Sequence, residues 1–519
     1  MSAKVPDLLR HSAGRVPARL CAVGEETAFT FGECHQRASQ LARLLAARGV
    51  RHGDRVAVLA YNEPELFEIQ VACQRAGAIL VPLNYRLSTV ELQAIYGDAE
   101  PVMLIHGREL AEPASLVSAK DSLFLGTDGH GAPYEREIAR YEPGGPVDDL
   151  DYDAVATALY TSGTTGKPKG ALVSNGNIFA RVVAFDAELR IGDHDRFLAS
   201  LPMFHVGSNL AYAFMFYGAT NHVMRRTTVG GIVDRLAGAE ITHTQFVPTV
   251  LRGVCQHYAE HRGTPATLRS ITYGGAAIDP SLLDRTLGLF GSCLRQWYGS
   301  TETSACVTLP PENHVAGPGP GKLRTAGRAM QGYQLGLRAE EGLPAGPGEV
   351  GEVLVRGPGV IKGYLGAHAP ERALVGGWLH TGDLGVLDVE GFLTIVDRKS
   401  DVIISGGENV YPREVEDVLQ AHPAVERAAV LGIPDPHWGE IVHAVITVRE
   451  GMAVDEHALI AHVRGRLAGY KTPKSVEFRS DVPMTATEKI DKRALRARLR
   501  PVPGAGAEGG GSGGEGGAR

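Results

Sequence analysis

No two cysteines of this sequence stand as Cys-x-x-Cys. The six (Cys21, Cys34, Cys73, Cys255, Cys293 and Cys306) are scattered without metal-ligand spacing. That pattern speaks against a zinc or dithiol motif and predicts reduced thiols in a cytoplasmic compartment. An excess of basic charge is lacking too. With a formal net charge of -7 and no long basic block, neither a nucleic-acid footprint nor electrostatic membrane attachment is expected. An anionic ligand then needs local positive charge. The longest apolar stretch, Leu201 to Ala219, is broken by Pro202, His205 and Asn209, so it reads as a buried helix and no integral membrane segment is expected. Met1-Ser-Ala-Lys-Val-Pro-Asp7 lacks the charged and apolar parts of a secretory signal, and there is no internal repeat. What is present is an ordinary globular composition, 44% hydrophobic and 21% charged, over 519 residues. That length exceeds one hydrophobic core and predicts at least two domains.

Spacing along the chain predicts an α/β fold. Asp54-Arg-Val-Ala-Val-Leu-Ala60 reads as a buried strand, Leu66, Ile69, Cys73 and Gly77 share a helical face, and Ala78-Ile-Leu-Val81 opens a second strand. This is a βαβ unit, continued by Pro101-Val-Met-Leu-Ile105 and a strand at Val155, so the sheet should be largely parallel. Asp128 to Asp151, rich in Gly, Pro and acids, reads as a surface connection. Further short strands, Thr244-Gln-Phe-Val-Pro248 and Ser270-Ile-Thr-Tyr273 among them, alternate with helical patterns up to Pro310. From Gly346 to Val396 the chain turns to Gly-punctuated, Val-rich strands, a small β-rich subdomain. Residues 401 to 500 read as a separate α+β domain. Its strands fall at Ala428 to Ile433 and Ile441 to Val448, and Asp455 caps a helix with Leu459, Val463 and Leu467 on one face. The tail, 501–519, is nearly all Gly, Ala, Glu, Ser and Pro and is expected to be disordered. The expected layout is an N-terminal region 1–397, a hinge 398–400, a C-terminal domain 401–500 and the tail.

Five segments carry chemistry. Tyr160-Thr-Ser-Gly-Thr-Thr-Gly-Lys-Pro-Lys-Gly170 offers glycine backbone, hydroxyls and two lysines, the components of a phosphate cradle. Only Thr164-Thr165 separate Gly163 from Gly166 and Pro168 follows Lys167, so it is not a Walker A loop. Pro168 has no N–H to give, and the loop is expected to stay open there. Ser270-Ile-Thr-Tyr-Gly-Gly-Ala-Ala277 and Gln296-Trp-Tyr-Gly-Ser-Thr-Glu302 each end an apolar run in small residues, where α/β sheets place ligands. In the second, Tyr298 supplies a flat face, Gly299 a close passage, Thr301 a hydroxyl and Glu302 a carboxylate suited to Mg²⁺. Trp378-Leu-His-Thr-Gly-Asp383 sets one carboxylate after a tight turn, able to accept bonds from two neighbouring hydroxyls. Asp397 to Glu416, containing Arg398, Ser400, Asp401 and Ser405-Gly-Gly-Glu408, is a long run of specified residues at the change of texture, and Val482 to Arg493 carries Lys489 on a loop.

In this order and at these separations the five segments resemble the adenylate-forming superfamily, in its acyl-CoA synthetase and aryl-CoA ligase branch, from about Phe29 to Leu499. The resemblance implies a large adenylation domain of two parallel-sheet α/β subdomains and a β-rich subdomain, followed by a mobile α+β domain carrying the catalytic Lys489. It places the triphosphate on Thr161, Ser162, Gly163, Thr164, Thr165 and Lys169, with Thr161 and Glu302 near Mg²⁺. Adenine falls to Tyr298 with the backbone of Gly274, Gly275 and Ala276, and ribose to Asp383 and Arg398; Gln296, Trp297, Gly299 and Thr301 also belong to the nucleotide site, and Thr301 and His205 join Lys489 as catalytic residues. Gly406 and Gly407 shape the thiol channel. His205 matches the aromatic gate between acyl site and thiol channel. With Val206, Gly207, Ser208, Asn209, Phe246, Val247 and Tyr273 it is expected to line the acyl pocket, the small residues at 207 and 208 leaving room for an aryl ring or medium chain.

Three positions depart from the family pattern. Glu488 stands where Gly usually precedes the catalytic lysine, Ser400 replaces Asp or Lys at the hinge, and Ser174-Asn175 replaces a Thr/Ser-His pair. The implied reaction activates a fatty or aryl carboxylic acid with ATP as acyl-AMP, releasing pyrophosphate, and passes the acyl group to CoA. One alternative acceptor is a carrier protein or an amine. A different class is a nucleotide-binding protein without turnover. The expected partners are the small-molecule acid, ATP and CoA, with no nucleic acid, and a homodimer is left open.

Overall fold

The computed structural model describes residues 3–117, 121–125, 133–144, 148–162, 168–205, 207–261, 265, 267–276, 278–314, 322–339, 342–366, 373–485 and 490–499. The chain divides into two compact units, the first ending at Ser400 and the second beginning at Asp401.

Among the described residues the first unit contains two large sheets, a five-stranded sheet and a two-stranded pair, Lys4–Val5 with Leu150–Asp151. In the seven-stranded sheet, the Val-rich strand Arg55–Leu59 lies parallel between Ile79–Pro82 and Met103–Gly107. Helix Glu65–Ala76 makes the crossover and ends at Gly77 in the left-handed region, φ 69°, where glycine has no Cβ penalty. Val155–Ser162 joins parallel to Ile79–Pro82. The chain then doubles back as the antiparallel hairpin Val155–Ser162 with Pro168–Ser174, and Gly363–Leu365 closes that edge. Contrary to the expectation of an open loop at Pro168, the returning strand begins at that proline, opposite Ser162. A first strand position is where a residue without N–H is tolerated.

The nine-stranded sheet follows the same plan. Arg196–Ala199, Thr220–Val223, His243–Phe246, Ser270–Gly274 and Leu294–Ser300 are parallel, and Leu294–Ser300 turns back antiparallel into Ser304–Leu309. Between the two sheets runs helix Gly207–Tyr217, with Leu210, Ala211, Ala213, Phe214 and Met215 buried and Phe214 stacked on Phe197 at 4.7 Å. The apolar stretch is thus a core helix. The third sheet has five strands built from Gln334–Arg338, Val350–Arg356, Leu374–Val375, Trp378–Leu387 and Leu393–Arg398.

One expectation fails between Asp128 and Asp151. Helix Pro133–Ile138 lies there, and Tyr134 and Ile138 are buried in the main core. The Tyr134 hydroxyl donates to the buried Glu68 carboxylate at 2.6 Å. Two buried side chains one helical turn apart, with ion pairs from Glu135 to Arg37 and Glu137 to Arg48, anchor a segment whose composition reads as loop.

The second unit is an α+β fold around a sheet of Glu408–Val410, Ile403–Ser405, Gly439–Val448, Val425–Asp435 and Ser475–Phe478. Asp455 caps helix Glu456–Arg464 by accepting from the Ala458 N–H at 2.8 Å, and Leu459 and Val463 are buried.

Candidate active site

The C-terminal ends of the parallel strands are tied to one another across the two large sheets. Asn62, beyond strand Arg55–Leu59, donates to the Leu201 carbonyl at 3.0 Å and accepts from the Met203 N–H at 2.8 Å. The turn carrying His205 is thereby pinned to the first sheet. His205 Nε2 lies 3.4 Å from Thr301 Oγ1, so the residue expected at the acyl gate meets the hydroxyl expected at the nucleotide. Its carbonyl accepts from Ser208 Oγ at 3.0 Å.

Thr301 and Glu302 stand in the tight turn of the second hairpin. The Ser300 N–H donates to Thr303 Oγ1 at 3.0 Å and the Glu302 N–H to Ser300 Oγ at 3.2 Å. Ser304 takes a positive φ of 55°, uncommon for a residue other than Gly and a mark of a constrained turn. The Tyr364 hydroxyl donates to Glu302 Oε1 at 3.0 Å. Tyr364 sits on the edge strand paired to the first hairpin, opposite Ala171. Burial, then the Glu302 charge, pushes its pKa up. One carboxylate therefore joins the two hairpins.

In the first hairpin Thr161 and Lys169 are register partners, with Lys169 buried and Thr161 half-buried. The Tyr160 hydroxyl donates to Asp98 at 2.7 Å. Gly163, Thr164 and Thr165, the side chain of Ser162, Val206 and Lys489 lie outside the described residues. Among the described residues no three His, Cys, Asp or Glu side chains cluster as a metal site. Mg²⁺ takes oxygen donors, often one or two carboxylates with phosphates and water, and the Glu302 carboxylate and Thr161 hydroxyl fit that donor set.

Asp383 is almost fully buried and doubly held. The Tyr298 hydroxyl donates to Oδ2 at 2.7 Å, and Arg398 Nε lies 3.0 Å from Oδ1, its partner across the strand pair. Burial and the Asp383 charge raise the Tyr298 pKa well above its ordinary value, so the phenol keeps its proton and its donor role. An ionised carboxylate offers about four lone-pair directions, so two held oxygens can still accept from a pair of hydroxyls.

Some expected contacts are redirected. Alternation along Leu294–Ser300 turns Trp297 away from Gln296 and Tyr298. Its indole stacks on Phe185 at 4.8 Å and 17° inside the core. Gln296 Oε1 accepts from the Tyr273 hydroxyl at 3.1 Å, and the Tyr273 hydroxyl oxygen also lies 2.9 Å from His314 Nε2. Tyr273 and Phe246 are packed within the closed core of the second sheet rather than on an open wall. A Cβ on Gly207 would come within 2.9 Å of Leu201 Cβ and 3.1 Å of the Pro202 carbonyl, so its smallness serves the turn and opens no acyl space. Ser208 and Asn209 are buried on one small, mainly apolar cavity with Gln70, Leu159, Val173 and Tyr212. Gly274 passes directly beneath the Trp297 carbonyl, and Gly275, at φ 79°, and Ala276 are exposed beyond it, with Val247 half-buried beside them. In the second unit Gly406 and Gly407 turn a hairpin with φ of 62° and 85°, Gly406 N–H donating to the Trp438 carbonyl at 2.8 Å.

Arg181 and Tyr364 escaped the sequence reading. Both are single polar residues in apolar surroundings. The usable signal was Ser174-x-x-Asn177, a capping box that starts helix Asn175–Leu189 and places Asn177 and Arg181 four apart on one face.

Residues 9–365 match the AMP-binding enzyme family and residues 414–489 its C-terminal domain. The chain belongs to this family, the adenylate-forming superfamily. Among its relatives is a feruloyl-CoA synthase of Amycolatopsis sp, 38% identical, the match covering 91% of this chain and 94% of the relative. The structure of o-succinylbenzoate coenzyme A synthetase from Bacillus subtilis with ATP and magnesium ion superposes with a TM-score of 0.84 at 34% identity, covering 96% of this chain and all of that one. An amide bond synthetase from Marinactinospora thermotolerans gives a TM-score of 0.85 at 29% identity, covering 95% and 99%. Within the superfamily the chain falls in the acyl- and aryl-CoA ligase branch.

Proposed function

We propose that this protein is an AMP-forming ligase that joins an aromatic carboxylic acid to CoA at the expense of ATP, in a reducing cytoplasm that suits its six free cysteines. The observation that carries the reading is the Thr301–Glu302 turn. Glu302 reaches Tyr364 of the sheet that bears the hydroxyl-rich hairpin, while Thr301 reaches His205 on the acyl side. A single turn therefore addresses both anions that have to meet. The similarity to a feruloyl-CoA synthase and an o-succinylbenzoate CoA synthetase supports an aryl acid.

A carboxylate is a poor acyl donor, because its carbonyl is electron-rich and oxide does not leave. The acid's oxygen attacks the α-phosphorus of ATP, a P–O bond to pyrophosphate breaks, and acyl-AMP results. Thr161, Lys169 and the turn of the first hairpin hold the phosphates. Asp383, fixed by Tyr298 and Arg398, accepts the ribose hydroxyls, and Lys489 offsets the repulsion between carboxylate and α-phosphate. Mg²⁺, held by Glu302 and Thr161 when bound, screens the phosphate charge. In the second half the CoA thiolate attacks the acyl carbon, AMP departs, and His205 borders the path of the thiol.

The test is aryl-acid-dependent exchange of labelled pyrophosphate into ATP, followed by CoA-dependent release of AMP, across a panel of aryl, short, medium and long acids. Exchange strongest with aryl acids supports the reading; exchange confined to aliphatic acids, or none, overturns it. Lys489→Ala should abolish most exchange while sparing thioester formation from supplied acyl-AMP. The likeness to an amide bond synthetase favours a second reading, transfer to an amine, which AMP release driven by amines but not by CoA would establish.

A further inference from the structure

Arg181 is the largest fully buried side chain of the described residues, 1% exposed. Arginine is rarely buried to this degree without a carboxylate, and taking its charge out of water costs several kcal/mol. Its surroundings are instead the Tyr333 hydroxyl and backbone carbonyls. Nε donates to Gly359 O at 2.9 Å, and Nη2 to Glu302 O at 3.2 Å and, at the limit of a bond, to Thr301 O at 3.5 Å. Nη1 has no hydrogen-bond partner. Burial lowers its pKa, and the nearby Tyr333 and Glu302 work the other way.

The surroundings give this arrangement a direction. One turn earlier on the same helix, Asn177 Nδ2 donates to Pro358 O at 2.7 Å and Val360 O at 2.8 Å. Three consecutive carbonyls, 358 to 360, are thus gripped by one helix face. That helix starts directly after the first hairpin, where Ser174 caps it. The gripped segment continues to the Ile361 N–H, which donates to Glu302 O at 2.9 Å, and to the Lys362 N–H, which returns to Leu172 O of the first hairpin at 2.9 Å. Glu302 is held at its N–H by Ser300, at its carbonyl by Ile361 and Arg181, and at its carboxylate by Tyr364. A Cβ on Gly359 would fall on the Tyr333 hydroxyl, and that hydroxyl donates to Thr303 O at 3.0 Å, so the segment is packed directly against a side chain bonded to the turn.

We propose that Arg181 is a positioning residue for adenylation: its planar fork couples the helix behind the first hairpin to the Thr301–Glu302 peptide, setting the direction in which the Glu302 carboxylate faces the metal of the bound nucleotide. It acts through Glu302, so the inference rests on the proposed metal role of that residue. Lysine keeps the charge but has no planar fork to span Gly359 O and Glu302 O together. Methionine keeps most of the volume and leaves the carbonyls without a donor.

The experiment measures ATP binding by calorimetry with and without MgCl₂ for wild type, Arg181→Lys, Arg181→Met and Glu302→Gln, beside the two half-reactions. For Arg181→Lys the extra affinity that Mg²⁺ gives ATP should fall by about tenfold, the size of one hydrogen bond to a charged group, with Mg²⁺-free ATP binding retained. The KM for MgATP in pyrophosphate exchange should rise, while thioester formation from supplied acyl-AMP stays within about twofold of wild type. An unchanged Mg²⁺ preference in folded Arg181→Lys, or equal loss in both half-reactions, overturns the proposal. Failure of both Arg181 variants to fold makes the residue a core element and overturns it as well. Glu302→Gln separates the two ideas. If it keeps the Mg²⁺ preference, the metal reading falls. If it loses the preference and Arg181→Lys keeps it, only the role of Arg181 falls.

Discussion

The two hairpins of the first unit share a topology and differ in the regularity of their strand pairing. In both, a sheet of parallel strands reverses at one edge, and a turn rich in hydroxyls and glycine follows the strand end. The first, Val155–Ser162 with Pro168–Ser174, keeps its register from Ser162↔Pro168 to Thr157↔Val173 and shifts only at the end far from the turn, between Val173 and Ser174. The second has a register irregularity between Tyr298 and Gly299, a strained Ser304 and a web of buried polar contacts reaching Arg181, Tyr333 and Tyr364. Ladder hydrogen bonds define a strand pair but leave a turn's side chains free to choose rotamers. Where a hydroxyl and a carboxylate must point to two different ligands, the backbone between them needs further bonds. The second hairpin has them, many from residues far away in sequence.

The contrast predicts unequal tolerance at equivalent glycines. At Gly299 a Cβ would fall on the Ser304 carbonyl oxygen, whereas at Gly170 it would meet the Tyr160 ring at 3.1 Å and Leu365 Cβ at 3.2 Å. Gly299→Ala should cost more than about 4 kcal/mol, because a backbone atom blocks it. Gly170→Ala should cost about 1–2 kcal/mol, because side chains can shift. Urea midpoints decide between them, and equal losses would erase the distinction.

Acid should act on the nine-stranded sheet. His222, on strand Thr220–Val223, has its pKa lowered to about 4 by burial, with Arg196 and Arg235 adding to the effect. Its folded value lies below the unfolded one, so the unfolded chain binds the proton more readily. The stability is full above the unfolded pKa of about 6.5 and is lost as pH falls towards 4. Thermal midpoints of His222→Gln should therefore fall less between pH 6.5 and 4 than those of wild type, by about 3 kcal/mol in stability at the acid end. An identical acid profile would remove His222 from the account.

The smallest effect concerns the first hairpin's own support. Ser174→Ala removes the cap of helix Asn175–Leu189 and should cost about 1 kcal/mol. Faster hydrogen exchange at the first turn of that helix, with the Mg²⁺ preference for ATP unchanged, is the expected outcome. A changed preference would mean that the helix start, and not only Arg181, governs the second turn.

Motifs with local geometry were legible. Tyr160 to Gly170 and Gln296 to Glu302 announced strand ends because period-two spacing, glycine and hydroxyls act over a few residues. Trp378 to Asp383, expected to form a tight turn, instead runs within strand Trp378–Leu387, where Gly382 takes a positive φ of 73° as a local irregularity and the ladder continues through Asp383. Facing was harder. Trp297 lies within a motif yet points to the core, since alternate residues of a strand oppose one another and the motif does not say which side is open. Gly207 looked like room for a substrate and proved to be room for Leu201 and Pro202.

By itself the chain determined its class: the order of strands, the places where glycine must stand and the residue types gathered at the strand ends. The adenylate-forming architecture follows from those local preferences, which any stretch of sequence carries with it. Tertiary structure alone decided that a buried Arg181 should reach Gly359, 178 positions away, and that Glu302 should bond Tyr364 across two sheets. Such pairings arise only when packing brings distant backbone into the same dry volume, where an unpaired donor is costly enough to select its partner.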